Sequence, residues 1–249
     1  MRITPFYFQI ICRTILLLAT VKPALTESAN ATTPDDGRKA WFVISAMPEG
    51  LENPVEAISG GFSSKVSLSK RTASQPVGVA ADGVVRLVQE LPDPDKTGET
   101  AVMPLAQVTV PEAVNQALIV LAPAKRGDQD EGPEQSGHLF DAWVIDLGSF
   151  REGGFIFINL TVTDIAIALG DKESVIKPKQ HVFTGLPGLT EPVSAAIGYS
   201  YLNPEREIWH QLGSSTVVLV PGRRELCIFT QDTEFSRIGY HGVTLPNLE

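Results

Sequence analysis

The hydrophobic positions of the chain fall in short runs that are rich in β-branched residues and are separated by Gly, Pro and Asp. None of the runs combines helical spacing with helical length. Short β-branched runs between turn-forming residues are typical of strands. The pattern therefore predicts an all-β protein. The predicted strands are residues 40–47, 65–70, 84–91, 101–110, 117–122, 139–147, 154–160, 164–169, 175–176, 181–183, 193–201, 206–212, 216–220, 225–230 and 238–245.

The strand at 154–160 is apolar on both faces. Its alternation places Phe155 and Phe157 on one side, and Ile156 and Ile158 on the other. A strand that is apolar on both faces is typical of a sheet covered on both sides. We therefore expect this strand to be central and buried.

Turn-forming residues mark several boundaries between strands. Gly, Pro and Glu after the first run predict a loop, and Pro104 predicts an edge strand or a bulge. Residues 170–172 (GDK) and 203–205 (NPE) predict hairpin turns. Residues 213–215 (GSS) predict a turn between two strands.

The spacing of the strands predicts a β-sandwich or two tandem sandwich-like halves. Residues 123–137 (PAKRGDQDEGPEQSG) contain nothing that can form a core, which predicts a loop or linker. This segment divides the chain into an N-terminal β domain at 40–122 and a C-terminal β domain at 138–249.

The two predicted domains echo each other weakly. WFVIS (41–45) and FIFIN (155–159) each begin one half, and ALIVLAPA (117–124) and ELCIFTQD (225–232) each lie near the end of one. These matches indicate an internal duplication.

The first 26 residues have the parts of a secretory signal peptide. Arg2 and Arg13 precede an apolar run at 15–21, and a polar segment with small residues follows. Cleavage at Ala29-Asn30-Ala31 and cleavage near 24–26 both fit the pattern, and an uncleaved anchor is the alternative.

We expect residues 27–39 to form a disordered N-terminal segment and the protein to be exported to the periplasm or the extracellular space. Beyond the signal segment, no integral membrane domain is predicted. Removing residues 1–26 would change the formal charge from −9 to −12 and leave Cys227 as the one cysteine, so no internal disulfide is expected.

The acidic balance also bears on partners. Lys plus Arg number 20 against 29 for Asp plus Glu. Nucleic-acid binding and polybasic membrane binding both need clustered positive charge, so neither is expected.

The second half contains a set of spaced motifs at 154–160, 165–170, Lys177-Pro178, Trp209 and 224–229. The first matches the pattern "G-x-[FI]-x-[FIV]-x-N-L", and the last matches "R-x-[LV]-x-[VI]-F". With these motifs the chain resembles a family of uncharacterised bacterial exported β-sandwich proteins of unknown function, whose C-terminal half begins with the first pattern and has the second in a strand before its end. The chain departs from the family's "P-G", because it has Pro178-Lys179. The resemblance spans most of residues 84–245, implies export and a β fold, and carries over no site residues.

No catalytic or metal-binding pattern stands out. The histidines, His138, His181, His210 and His241, share no ligand spacing, although convergence in space stays open. Cys227 shares a strand face with Phe229, which favours a buried structural thiol over a nucleophile.

Other motifs of enzymes are missing from the sequence as well. There is no Gly-x-Ser-x-Gly elbow and no phosphate-binding loop. The acidic clusters at 93–95 and 128–131 lack the order of a calcium loop and indicate solvated loops. The glycosylation-like triplet Asn159-Leu160-Thr161 is interpreted as a chance match. We therefore predict a protein that is not an enzyme and holds no cofactor and no metal.

Aromatic residues of one predicted hairpin are the candidate binding residues: Trp209, Tyr199 and Tyr201. Pairing residue 203 with residue 206 would place the two tyrosines on one face and Trp209 on the other, more polar face. Trp209 there could contact a sugar or a protein, and the alternative is that it is core. The sequence predicts a binding protein for an envelope protein or a surface polymer, or alternatively a carbohydrate-binding module.

Overall fold

The computed structural model describes residues 37–92, 100–124, 138–150, 153–185, 188–232 and 237–246, all within one compact unit. The predicted signal peptide at 1–26 and nearly all of residues 27–39 and 123–137 lie outside these ranges.

Strands dominate the described residues, so the all-β prediction is confirmed. The strands are β1 (Lys39–Ile44), β2 (Val55–Ser59), β3 (Phe62–Val66), β4 (Val77–Gly78), β5 (Val84–Pro92), β6 (Thr100–Thr109), β7 (Gln116–Pro123), β8 (Phe140–Asp146), β9 (Gly154–Asn159), β10 (Ile165–Leu169), β11 (Lys172–Ile176), β12 (His181–Thr184), β13 (Val193–Asn203), β14 (Ile208–Leu219), β15 (Arg224–Gln231) and β16 (Ile238–Thr244), with a 3₁₀ turn at Leu147–Ser149.

The strands form four four-stranded sheets, two in each half of the chain. The first outer sheet has the order β3-β2-β5-β6, and the first inner sheet has the order β4-β1-β7-β8. The second inner sheet is β12-β9-β15-β16, and the second outer sheet is β11-β10-β13-β14. The two central strands of each inner sheet run parallel, and all other neighbours are antiparallel.

The second eight strands repeat the order of the first eight, so each strand has a counterpart eight places later. The counterparts of the echoing sequence segments are β1 with β9 and β7 with β15. The internal duplication that the sequence indicates is therefore present in the topology.

The register of the outer sheets repeats as closely as the strand order. Val55 pairs with Val66 at the end of the β2–β3 hairpin, as Ile165 pairs with Ile176 in β10–β11. The long hairpins β5–β6 and β13–β14 each contain one bulge, and the two bulges fall at the same place in the repeat. Positions of the two outer sheets can therefore be compared one to one.

Hydrophobic clusters lie on both sides of each inner sheet. Phe42 belongs to the cluster between the first inner and outer sheets, and Phe157 to the corresponding cluster in the second half. A middle cluster, which includes Val43, Ile156 and Ile158, joins the two inner sheets. The strand β9 is therefore buried on both faces, as its sequence predicts.

Two turn-related predictions are confirmed. Gly170 and Asp171 form the two-residue turn between β10 and β11. Pro104 lies on β6, which is an edge strand. It also lies at a bulge, because Leu87 pairs with Ala106 whereas the next residue, Val88, pairs with Pro104. Both alternatives offered for Pro104 apply.

The predicted turn at 213–215 is wrong, because these residues lie inside the twelve-residue strand β14. A Cβ at Gly213 would lie 2.8 Å from the hydroxyl of Tyr240. Gly213 thus leaves room for the side chain of Tyr240. From the sequence alone, the same glycine indicated a turn.

The loop predicted after residue 47 contains the strand β2, and the strand predicted at 65–70 ends at Val66. Leu68 remains buried beyond the strand. Its backbone N–H donates to Asn53 Oδ1 at 2.9 Å, and its carbonyl accepts from Asn53 Nδ2 at 2.9 Å. The Asn53 amide thus makes the backbone hydrogen bonds that a neighbouring strand would otherwise make with Leu68.

The predicted domain boundary at 123–137 does not match the repeat. β8, which the prediction assigns to the second domain, pairs antiparallel with β7 of the first inner sheet. Residues 124–139 thus join two paired strands. The repeat boundary falls between β8 and β9 instead.

The predicted disordered segment at 27–39 extends too far. Arg38 is buried, and its guanidinium donates to the carbonyls of Ala80, Val110 and Pro111 at 2.8–3.2 Å. Lys39 already belongs to β1. Both residues are therefore part of the fold.

A candidate binding groove on the second outer sheet

The β13–β14 hairpin separates the three candidate binding residues onto two faces. Asn203 pairs with Ile208, two residues later than the pairing considered from sequence. A shift of two preserves the faces, because side chains alternate with a period of two. Trp209 lies on the outer face, and Tyr199 and Tyr201 pack on the core face.

Tyr199 is a core residue. It is 7% exposed, and its ring centroid lies 4.6 Å from that of Tyr240 and 5.3 Å from that of Phe229. Burial and the adjacent thiol of Cys227 raise the pKa of its phenol above the usual value. Its side chain is thus unavailable to a ligand on the outer face.

Tyr201 also faces inward. Its ring stacks on His210 with centroids 5.3 Å apart and planes 22° apart, and it packs against the second outer–inner cluster. Trp209, in contrast, is 43% exposed.

A groove with a volume of about 390 Å³ runs over the outer face of the second outer sheet beside Trp209. Small residues form its floor, where two neighbouring strands lie side by side. They are Ala166 and Ala168 of β10 and Gly198 and Ser200 of β13. Glu173 and Val175 of β11 line one side, and Trp209 and Gln211 of β14 line the other.

The repeat shows what makes the groove. The floor positions of the second outer sheet correspond by register to larger residues in the first. Ala166, Ala168, Gly198 and Ser200 correspond to Glu56, Ile58, Arg86 and Val88, respectively. The groove therefore comes from three small side chains and one glycine on a backbone arrangement that the two halves share.

The corresponding surface of the first outer sheet is covered by side chains that bind one another. The hydroxyl of Ser63 donates to Glu56, and Arg86 Nε donates to Gln107 Oε1 at 3.0 Å. The counterpart of Trp209 there is Val102. Trp209 and the floor of small residues thus occur together on the second outer sheet.

The charges at the groove are few. Glu173 supplies a carboxylate, and no Lys or Arg is among the lining residues. Lys177 Nζ lies 2.6 Å from Asp164 Oδ2 near one end of the groove, so that lysine is already paired. The lining therefore combines one aromatic plate with hydrogen-bonding groups and one negative charge.

Sequence reasoning found Trp209 but missed the floor. The alternation of large Ile and small Ala in β10 was the available signal, because the Ala residues fall on the outer face. What a single strand cannot show is that Gly198 and Ser200 of β13 lie beside them.

The structure places Cys227 as predicted, in the core beside Phe229. Burial raises the pKa of the Cys227 thiol to about 12. The thiol is therefore protonated at neutral pH, which is the state of a structural cysteine.

The histidines lie on separate elements, with His181 on β12, His210 on β14 and His241 on β16. His138 precedes β8. Over the ranges that the structure covers, there is no group of three or more His, Cys, Asp or Glu side chains placed to hold a metal ion.

Asn159 is fully buried, which agrees with a chance match to the glycosylation pattern. Its Nδ2 donates to the carbonyls of Thr163 at 2.7 Å and Ile176 at 2.9 Å, and its Oδ1 accepts from the backbone N–H of Thr161 at 2.9 Å. The side chain thus fixes the loop that leads into β10.

No known protein family matches the chain, and comparison with curated proteins also finds no match. In the part of the chain that the structure describes, no helix is long and apolar enough to cross a membrane.

Proposed function

We propose that this protein is exported and acts without catalysis, by binding a surface polymer or an envelope protein through the groove on the second outer sheet. The observation that carries the proposal is an exposed tryptophan beside a floor of four small residues. The sequence features of a signal peptide support export to the periplasm or the extracellular space.

The chemistry of the groove favours a carbohydrate polymer over a protein. An indole ring offers a flat apolar surface on which the C–H face of a sugar can stack. Glu173, Gln211 and Ser200 offer acceptors and donors for hydroxyl groups, and the carboxylate forms the stronger, charge-assisted hydrogen bonds. The open form suits a chain that lies across the sheet. A neutral polysaccharide is therefore the expected ligand.

Affinity electrophoresis in gels that contain neutral polysaccharides tests this proposal. We expect Trp209→Ala to weaken binding by at least about tenfold, as loss of a central aromatic contact does. Phe62→Ala is the matched control, because Phe62 is a similarly exposed aromatic residue on the first outer sheet, and it should leave binding unchanged. Retained binding by Trp209→Ala would exclude the groove as the site.

The protein-partner alternative gives a different result. If the parent chain binds no neutral polysaccharide at millimolar sugar concentration, and Trp209→Ala still abolishes crosslinking to an envelope protein in intact cells, the groove binds a protein. Edman sequencing of the exported chain tests export separately. A mature N-terminus between residues 25 and 32 is expected, and an intact Met1 in the cell-associated fraction would contradict cleavage.

A further inference from the structure

The outer edge of β14 differs from the other sheet edges of the described residues. Its twelve residues, Ile208–Leu219, include no Asp, Glu, Lys, Arg or Pro. It ends the order of its sheet, and over the described ranges its extensive contacts are with β13. Natural proteins usually protect such edges with charges, prolines or short strands.

Most of the remaining edges carry that protection. β4 has two residues and β12 has four. β3 carries Lys65, β6 carries Pro104, β8 carries two aspartates, and β11 carries Lys172 and Glu173. β16 also lacks Asp, Glu, Lys, Arg and Pro, but it is shorter, with seven residues, and a bridge between Thr72 and Thr244 covers its end. The edge of β14 is long and unguarded by comparison.

The side chains of β14 are arranged symmetrically about its centre. Trp209 and Val218, which are 43% and 58% exposed, lie on the outer face on either side of Ser214, each four strand positions from it when the bulge at Leu212 and Gly213 is counted as one position. An antiparallel pairing of β14 with the same strand of a second copy would place Trp209 beside Val218. It would also place Gln211 beside Thr216. On the outer face, each apolar residue then meets an apolar one, each polar residue meets a polar one, and no charge is opposed.

We propose that two copies of this chain associate through antiparallel pairing of their β14 strands, about a two-fold axis beside Gly213 and Ser214. The backbone hydrogen bonds of an edge strand supply the attraction, and two-fold pairing is the commonest symmetry of homo-oligomers. The pairing joins two four-stranded sheets into one continuous sheet. The two grooves then lie on the same face, and a polymer can engage both at once.

A strand edge buries less surface than a standard protein interface, so a weak and concentration-dependent dimer is expected. Sedimentation velocity over a concentration series measures it. Ser214→Glu places two carboxylates side by side at the axis and should weaken the dimer by at least about tenfold. Gln107→Glu is the matched control, because Gln107 occupies the corresponding position on β6 and the new carboxylate would face Arg86. It should leave the dimer unchanged.

Disulfide trapping gives a positive test of the axis. In a Cys12→Ser background, the buried Cys227 is the remaining native cysteine. Ser214→Cys should give a covalent dimer on mild oxidation, because the two Cα atoms would lie within disulfide reach, whereas Gln107→Cys should not. Far-UV circular dichroism and thermal melting confirm that each variant folds.

A chain that stays monomeric at millimolar concentration would overturn the proposal. A dimer that Ser214→Glu leaves intact, or equal trapping by Gln107→Cys, would do the same. Polysaccharide binding is scored separately, because the groove lies on the face of the sheet and the pairing uses its edge. Failure of one proposal is therefore distinguishable from failure of the other.

Discussion

The first outer sheet covers its outer face with long side chains that bind one another, whereas the second leaves the same positions nearly bare. Strand order, register and bulge position are the same in both. The difference therefore lies in a few side chains, such as Arg86 against Gly198 and Val102 against Trp209. One half of a duplicated fold has a covered surface, and the other has an open groove with an aromatic wall.

The inner sheets differ much less than the outer ones. Phe42 and Phe157 occupy equivalent positions on β1 and β9, and both are fully buried. The middle cluster then packs equivalent faces of the two inner sheets together, through residues such as Val43 and Ile158. This arrangement makes the halves two parts of one hydrophobic structure.

The largest expected effect tests whether the two halves unfold as one cooperative unit. Phe42→Ala and Phe157→Ala should each lower the free energy of unfolding by about 3–5 kcal/mol, through lost burial and the cavity that remains. Each variant should still unfold in one transition in urea, followed by tryptophan fluorescence and circular dichroism. Phe62→Ala, at an exposed position, should change the free energy by less than about 0.5 kcal/mol. Two separate transitions would show that the halves fold independently.

The next largest effect comes from giving the outer face of the second outer sheet a residue of the first. Gly198→Arg gives the second sheet the residue that the first has, and a Cβ at this position would have its nearest neighbour, the carbonyl of Gly213, at 4.0 Å. The fold should therefore accept the change, while the arginine fills the groove and weakens polysaccharide binding by at least about tenfold. Arg86→Gly, the reverse change on the first sheet, should leave binding unchanged. Equal affinity of Gly198→Arg and the parent would contradict the groove.

A smaller effect concerns the glycine that was predicted to form a turn. Ala106 is the counterpart of Gly213 and is buried, so the first sheet accommodates a methyl group where the second cannot. Gly213→Ala should cost about 1 kcal/mol because Tyr240 must move. In a Tyr240→Phe background the clashing hydroxyl is gone, and the cost should fall. Chemical denaturation measures both, and an equal cost in the two backgrounds would show that the contact is irrelevant.

Local periodicity was enough to predict most strands. β9 was predicted in place and with both faces assigned, because its alternating Phe and Ile residues are all large and apolar. β2 escaped prediction because it is short and follows a segment rich in Gly, Pro and Glu. The boundary of the repeat was misplaced because residues 123–137 look like a linker and yet lie between two strands that pair.

The groove depends on relations that lie between strands. One register of the hairpin placed Trp209 on the more polar face, and a core position was the alternative, because a slip of one residue would reverse the faces. The floor needs β10 and β13 to be neighbours, and that pairing joins residues about 30 positions apart. The bulge beside Tyr199 reverses the alternation along β14, so that no single period describes that strand.

The smallest expected effect separates the inner sheets by their response to pH. His241 of β16 is the counterpart of Trp143 of β8. Burial, and then the charge of Lys70, lower the pKa of His241 below its ordinary value of 6.5. As the pH falls, the unfolded chain therefore binds a proton at His241 at a higher pH than the folded chain does. The contribution of neutral His241 to stability is thus complete above pH 6.5 and is lost as the pH falls below that value. His241→Phe should show a smaller loss of unfolding free energy between pH 7.5 and pH 5 than the parent, measured by urea denaturation. An identical loss in the two proteins would mean that His241 does not carry the pH response.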